Sequence, residues 1–223
     1  MIENKDCWLK SGCNQKDCDS FCMRLFKLDY LYKESLISTQ QRKHVVLRID
    51  SDGTDAQAFN QLKTIEEDIE NFVTQGKNLY IHSTNTGNGK SSWALRFIQA
   101  YFDKIWFKSA LRCRALFINV PRFLLALKDN ISDKSEYVTH IKENIITSDI
   151  IIWDDIATKQ TSIFESENLY SMIEARIAEG KSNIFTSNLT ADEMHKALGD
   201  RLYSRIVNLS QDIELRGADK RGL

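Results

Sequence analysis

Lys90 and Ser91, following Gly87 and Gly89, are residue types at a spacing that could hold a phosphate chain. They close the stretch HSTNTGNGKSS, residues 82–92. In a phosphate loop, glycines let the backbone approach the phosphates and turn its N–H groups inward. The lysine reaches the β- and γ-phosphates, and the hydroxyl after it sits on Mg²⁺. The pattern G-x-x-x-x-G-K-[ST] asks for a first glycine at position 84, where this chain has Thr84. A side chain there is costly only if the backbone must take a positive φ. Thr86, Gly87, Asn88, Gly89, Lys90, Ser91 and Ser92 are the candidate binding residues, and ATP with Mg²⁺ is the ligand this chemistry fits.

A triphosphate site also needs a carboxylate for the metal. The run DIIIWDD, residues 149–155, supplies Asp154 and Asp155 at the end of an apolar segment. Asp154 suits Mg²⁺ and Asp155 suits the orientation or activation of an attacking water. Aspartate is one methylene shorter than the glutamate more common in the second role, which predicts slow hydrolysis. In SNIFTSN, Asn188 ends another apolar segment and is the candidate sensor of the water or the γ-phosphate, with Thr190 the cap of the next helix. Arg201 and Arg205, four apart in LGDRLYSRI, fall on one helix face and could reach the γ-phosphate of a neighbouring subunit. Arg216, Lys220 and Arg221 lie beyond, and any of them could close over the nucleotide within the same subunit.

These groups need a frame. Apolar runs at NLYIHS, RALFINV, DIIIWDD, SNIFTSN and IVNLSQDIEL read as strands. Amphipathic helices at 61–77, 90–102, 122–130, 134–145, 165–180 and 191–206 alternate with them. That order predicts an α/β fold with a mostly parallel sheet, flanking helices, and the glycine loop between a strand and a helix. HVVLRID reads as a further short strand, and a helix is expected near residues 24–37. Residues 61–223 form the expected ATPase domain, 36–60 a linker, and 1–35 a separate cysteine-rich module.

That module holds four of the five cysteines, Cys7, Cys13, Cys18 and Cys22, spaced C-x5-C-x4-C-x3-C. Four thiolates suit tetrahedral Zn²⁺. The spacing matches neither ferredoxin pattern, so zinc is favoured over an iron–sulfur cluster. His44 could replace one cysteine, and Trp8 and Phe21 would form the small core or partner face. Cys113 stands apart and is expected to pack as a small buried side chain. The chain has 223 residues, 42% hydrophobic and 27% charged, with net charge −1. This argues against a basic nucleic-acid coat, although Lys108, Arg112, Arg114 and Arg122 make a local basic stretch. The charged N-terminus lacks an apolar signal region, and no apolar run approaches the ~20 residues of a membrane span, which points to a cytoplasmic protein without membrane partners.

From about Ile65 onward the chain resembles the AAA+ helicase loaders of the DnaC/DnaI type and the related IstB-like transposition ATPases. The resemblance is carried by ENFVTQGKNLYIHS, GNGKS, IIIWDDIA, NLYSMIEARIAEGKSNIFTSNLT and LGDRLYSRI. It departs at Thr84 and in ending soon after Arg221, and its length is that of a phage or mobile-element member. It implies a P-loop AAA+ fold and an ATP-dependent homo-oligomeric spiral or ring. It places Lys90 and Ser91 at the phosphates, Asp154 at Mg²⁺ and Asp155 as catalytic acid. Asn188 becomes sensor I, Arg201 or Arg205 the finger in trans, and Arg221 the sensor II candidate. It implies a replicative hexameric helicase held by the N-terminal module, single-stranded DNA as the second partner, and helicase loading at replication initiation. The alternatives are a transposition helper and a non-hydrolysing helicase-binding adaptor or inhibitor.

Overall fold

The computed structural model describes residues 7–9, 13, 21–42, 47, 53–130, 133–157 and 161–220. Five strands, β1 Asn78–His82, β2 Ala115–Asn119, β3 Ile150–Asp154, β4 Ser182–Ser187 and β5 Gln211–Glu214, form one sheet in the order β2-β3-β4-β1-β5. Every neighbouring pair is parallel. The central strands are buried throughout because helices cover both faces.

Side-chain alternation divides the core. Leu79, Ile81, Ala115, Phe117, Ile150, Ile152, Ile184 and Ile213 face α1 Met23–Glu34, α2 Ala56–Glu67, α3 Ile69–Thr74 and α4 Lys90–Ile105. Tyr80, Leu116, Ile118, Ile151, Trp153 and Phe185 face α5 Val120–Asp129, α6 Glu136–Asn144, α7 Ile163–Ala178 and α8 Ala191–Tyr203. All polar ends of β2, β3 and β4 therefore emerge along one rim of the sheet, next to the loop that follows β1.

Local chemistry explains the element boundaries. Pro121 sits in the first turn of α5, where its missing N–H costs nothing. Ser162 and Thr190 start α7 and α8 with capping boxes closed by Glu165 and Glu193. The helix expected over 61–77 starts earlier, at Ala56, and breaks at Asp68 into α2 and α3. The helix expected over 191–206 kinks at Gly199, whose φ is +76°, and continues past Tyr203 as a π-helical turn, Ser204–Asn208. Within the span expected as a separate module, α1 buries Leu28, Leu31 and Tyr32 in the same core cluster as α4. Trp8 joins it, edge-on to Tyr32 with ring centroids 5.3 Å apart. The expected strand HVVLRID lies, apart from Leu47, outside the described residues.

One buried cation ties the far rim together. Arg176 of α7 is fully buried and donates to Asn183 Oδ1 at 2.8 Å and to the carbonyls of Ser148, at 3.0 Å, and Ser182, at 2.6 Å. Burial draws its pKa down to about 9. The guanidinium stays charged at neutral pH because carbonyl oxygens replace the water it has lost. Cys113 is buried as expected, and burial pushes its thiol up to about 11.

Candidate functional site

The loop between β1 and α4 turns on two glycines. Gly87 has φ +72° and Gly89 φ +107°, the latter immediately before the first residue of α4. A side chain at either position would be strained. Thr84 is not among the residues with positive φ, so its side chain costs the loop little. Ser91 and Ser92 form the first turn of the 16-residue helix α4, whose unpaired N–H groups and dipole favour an anion.

Lys90 is buried within the loop. Its Nζ donates to the Asn85 carbonyl at 2.7 Å and to Asn88 Oδ1 at 3.0 Å. Asn88 is itself buried and donates to Ser83 Oγ at 2.6 Å. The ammonium is thus positioned inside a turn of its own backbone, held by neutral acceptors that an anion could outcompete.

At the end of β3, Asp154 is buried and meets the loop. Burial pushes its carboxyl above the usual carboxylate range and the charge of Asp155 adds to this. Hydrogen bonds from Ser91, Thr186 and Asn119 oppose the shift. The Ser91 hydroxyl and the Asp154 carboxylate, 63 positions apart in sequence, are therefore close enough for the hydroxyl to favour the ionised carboxylate. A hydroxyl and a desolvated carboxylate brought together are the oxygen donors a hard divalent cation takes, with waters completing its shell. The residues present fit Mg²⁺.

Asp155 follows with φ +56°. Its N–H donates to Thr186 Oγ1 at 2.9 Å, and Thr186 Oγ1 donates in turn to Asp154 Oδ1 at 2.8 Å. Asn188 Nδ2 donates to Asp155 Oδ1 at 3.1 Å. The acids, Thr186 and Asn188 therefore form one hydrogen-bonded group where β3 and β4 leave the sheet, beside the phosphate loop.

The IstB-like ATP binding protein family matches residues 40–219, which include the sheet, the loop and both acids. The chain belongs to this family. Among solved structures, the DnaC helicase loader superposes with a TM-score of 0.63 at 17% identity, covering 80% of this chain and 100% of that one. A putative primosome component from Streptococcus pyogenes serotype M3 gives 0.62 at 20% identity, covering 86% and 98%. DnaI gives 0.61 at 19% identity, covering 85% and 100%. Among curated proteins, no sequence matches the chain.

In this IstB-like chain the remaining expected residues are spread more widely. Arg201, on α8, is exposed. Arg205 lies in the π-helical turn and is paired with Glu174, its Nη2 donating at 3.1 Å and its Nε also bonded to that carboxylate. Arg201 thus belongs to α8 itself and Arg205 to the π-helical turn that continues it. Arg221, Cys18 and His44 lie outside the described residues. Cys22 caps α1, its sulfur accepting from Leu25 N–H at 3.5 Å. No group of three or more metal-ligating side chains occurs among the described residues. No helix among them is long and apolar enough to cross a membrane.

The basic stretch beside β2 is engaged internally. Lys108 pairs with Glu70, Arg112 and Arg114 with Asp149, and Arg122 lies 4.9 Å from the Tyr137 ring. Four residues that shape the site were missed in the sequence: Asn119, Ser83, Asn85 and Asp55. Asn119 pairs in register with Asp154, a strand-end relationship invisible without the sheet order. Asn85 could have been noticed, beside Asn88, as a polar residue inside a glycine loop, where side chains usually fold back onto backbone.

Proposed function

We propose that the chain is an ATP-controlled loader that places a replicative hexameric helicase on single-stranded DNA at replication initiation. The observation that carries this reading is the meeting of Ser91, at the start of α4, with Asp154, itself hydrogen-bonded by Thr186, which brings loop and acids to one site. Two of the solved structures with this fold are a helicase loader and a putative primosome component, which supports the choice of partner.

In this reading the N–H groups of the loop and the start of α4 bind the phosphates, and Lys90 exchanges Asn85 and Asn88 for phosphate oxygens. Ser91 and Asp154 hold Mg²⁺, which when bound neutralises charge between the β- and γ-phosphates. Asp155 orients the attacking water and receives its proton. Asn188 fixes the Asp155 carboxylate, and the left-handed backbone at Asp155 aims the side chain away from the strand. Arg201 or Arg205 reaches the γ-phosphate of a neighbouring copy, so a ring or spiral assembles only with ATP. Arg221 is the residue that closes over the nucleotide in cis. The cysteine segment before α1, with Zn²⁺ on Cys7, Cys13, Cys18 and Cys22, holds the helicase.

The family match favours a second reading, a transposition helper that prefers duplex DNA. Co-elution with a replicative helicase, with and without ATP, tests the proposal, together with ATP turnover on single-stranded and duplex DNA. Helicase capture that needs ATP and turnover stimulated by single strands are expected. Preference for duplex without helicase capture would replace the loader with the helper. Helicase capture unchanged by Lys90→Ala, with no deposition on DNA by either protein, would mark an adaptor. Metal analysis should return one zinc per chain; a folded, metal-free protein would remove the zinc assignment.

A further inference from the structure

Beyond β5 the chain folds back as a strap across the phosphate loop. Leu215 N–H donates to the His82 carbonyl at 2.8 Å, extending the ladder. The N–H groups of Arg216 and Gly217 then donate to the buried carboxylate of Asp55, at 2.7 and 3.0 Å. From the loop side, Asn85 Nδ2 donates to the carbonyls of Arg216, at 3.0 Å, and Gly217, at 3.2 Å, and Asn88 Nδ2 to that of Leu215, at 3.2 Å. Lys220 N–H donates to the Gly87 carbonyl at 3.0 Å. The same two asparagines that contact the strap also accept Lys90, one through its carbonyl and one through its side chain.

The strap carries an acid onto the loop. A Cβ added at Gly87 would fall 1.9 Å from Asp219 Oδ1 and 2.5 Å from Oδ2. Gly87 is required for its φ, and the Asp219 carboxylate packs on the face where a Cβ would stand. The strap thus sets a carboxylate against a loop whose lysine and helix terminus attract anions.

We propose that Asp219 is a specificity residue of this site, opposing the terminal phosphate of a nucleoside triphosphate and lowering its preference over the diphosphate. The inference rests on the ATP-binding reading above. The additional phosphate brings the additional charge, so repulsion from Asp219 bears on ATP more than on ADP. Linkage makes the effect reciprocal: the strap weakens triphosphate binding and triphosphate loosens the strap by the same factor. Asp219 is open to solvent, so the repulsion is screened and amounts to roughly fivefold in affinity at low salt.

The test uses the full chain, fluorescent ATP and ADP analogues, and Asp219→Asn, which keeps the shape and removes the charge. Asp219→Asn should bind the ATP analogue roughly fivefold more tightly, with a smaller change for ADP, and the difference should shrink at about 0.5 M salt. In the wild type, ATP should speed tryptic cleavage at Arg216 and Lys220, read by mass spectrometry. Equal affinities in the two proteins, or weaker ATP binding by Asp219→Asn, would overturn the assignment. If binding is lost in Lys90→Ala yet indifferent to Asp219→Asn, the nucleotide site stands and this inference fails. If neither protein gives saturable binding, both fail.

Discussion

Asn188 donates its amide to the Asp155 carboxylate across the gap between the ends of β4 and β3, at 3.1 Å. On the proposed reading, the contact ties detection of the γ-phosphate to orientation of the attacking water. A carboxylate in a left-handed turn has a fixed backbone but a free χ1, and Asn188 supplies the missing restraint. Asn188 acts through Asp155, so it is a positioning residue.

The first prediction follows from that division. Asn188→Ala should lower kcat for ATP by roughly 10- to 100-fold, with KM changing less than threefold, because ground-state binding does not use the contact. Asp155→Asn should abolish turnover and retain nucleotide binding. Steady-state kinetics beside a fluorescent binding titration separates these effects. A rise in KM with unchanged kcat in Asn188→Ala would show that the amide binds nucleotide directly.

The second prediction concerns pH and the start of α7, the helix that carries Arg176. Glu165 is buried, and burial alone would raise its pKa. The Ser162 N–H and hydroxyl, with Lys128 3.1 Å away, outweigh burial and bring it down to about 2. The folded value lies below the unfolded one, so the ionised carboxylate stabilises the native state above about pH 4.5. That contribution is lost as pH falls toward 2. Glu165→Gln should therefore cost about 1–2 kcal/mol at pH 7, with the gap closing between about pH 4.5 and pH 2. Urea titrations at several pH values measure it; a gap independent of pH would show that shape, not charge, holds the cap.

How much of this was legible in the sequence depended on distance along the chain. GNGKS, the two acids and Asn188 could be placed because each follows an apolar run whose period marks a strand, and the strands had to share a sheet. Thr190 could be read as a cap from its residue type, whereas the same signal at Ser162, a glutamate three residues on, passed unread and the helix was expected only from 165. The approach of Ser91 to Asp154 required the strand order, since β3 lies two strands from β1. The strap was less accessible still. Asp55 reaches the N–H groups of Arg216 and Gly217 across more than 160 residues, and no local pattern marks that pairing. The break at Asp68 was hidden for another reason: Leu62, Ile65, Ile69, Phe72 and Val73 keep helical spacing across it.

The third prediction separates the two arginines by what already holds them. Arg205 is engaged by Glu174, and its bonds to that carboxylate raise its pKa above the ordinary arginine value. To serve a neighbour it must give up that carboxylate, a charge-assisted bidentate contact. Arg201 is exposed, four residues earlier, just past the kink at Gly199. On the proposed reading Arg201 is the better candidate for the finger, and Arg205 for the residue that fixes the π-helical turn against α7. Arg201→Ala should leave monomeric nucleotide affinity within about twofold and lower assembly-dependent turnover by at least roughly 100-fold, near the scale of a lost arginine finger. Arg205→Ala should instead lower the midpoint of thermal unfolding, and Glu174→Gln should reproduce much of that loss. The decisive measurement mixes Arg201→Ala with a Lys90→Ala partner. A lysine-deficient subunit can lend its arginine to an arginine-deficient neighbour whose phosphate loop is intact. Partial recovery of turnover in the mixture, absent from either protein alone, is the expected signature of a finger acting in trans. A mixture as inactive as its components would remove Arg201 from that role.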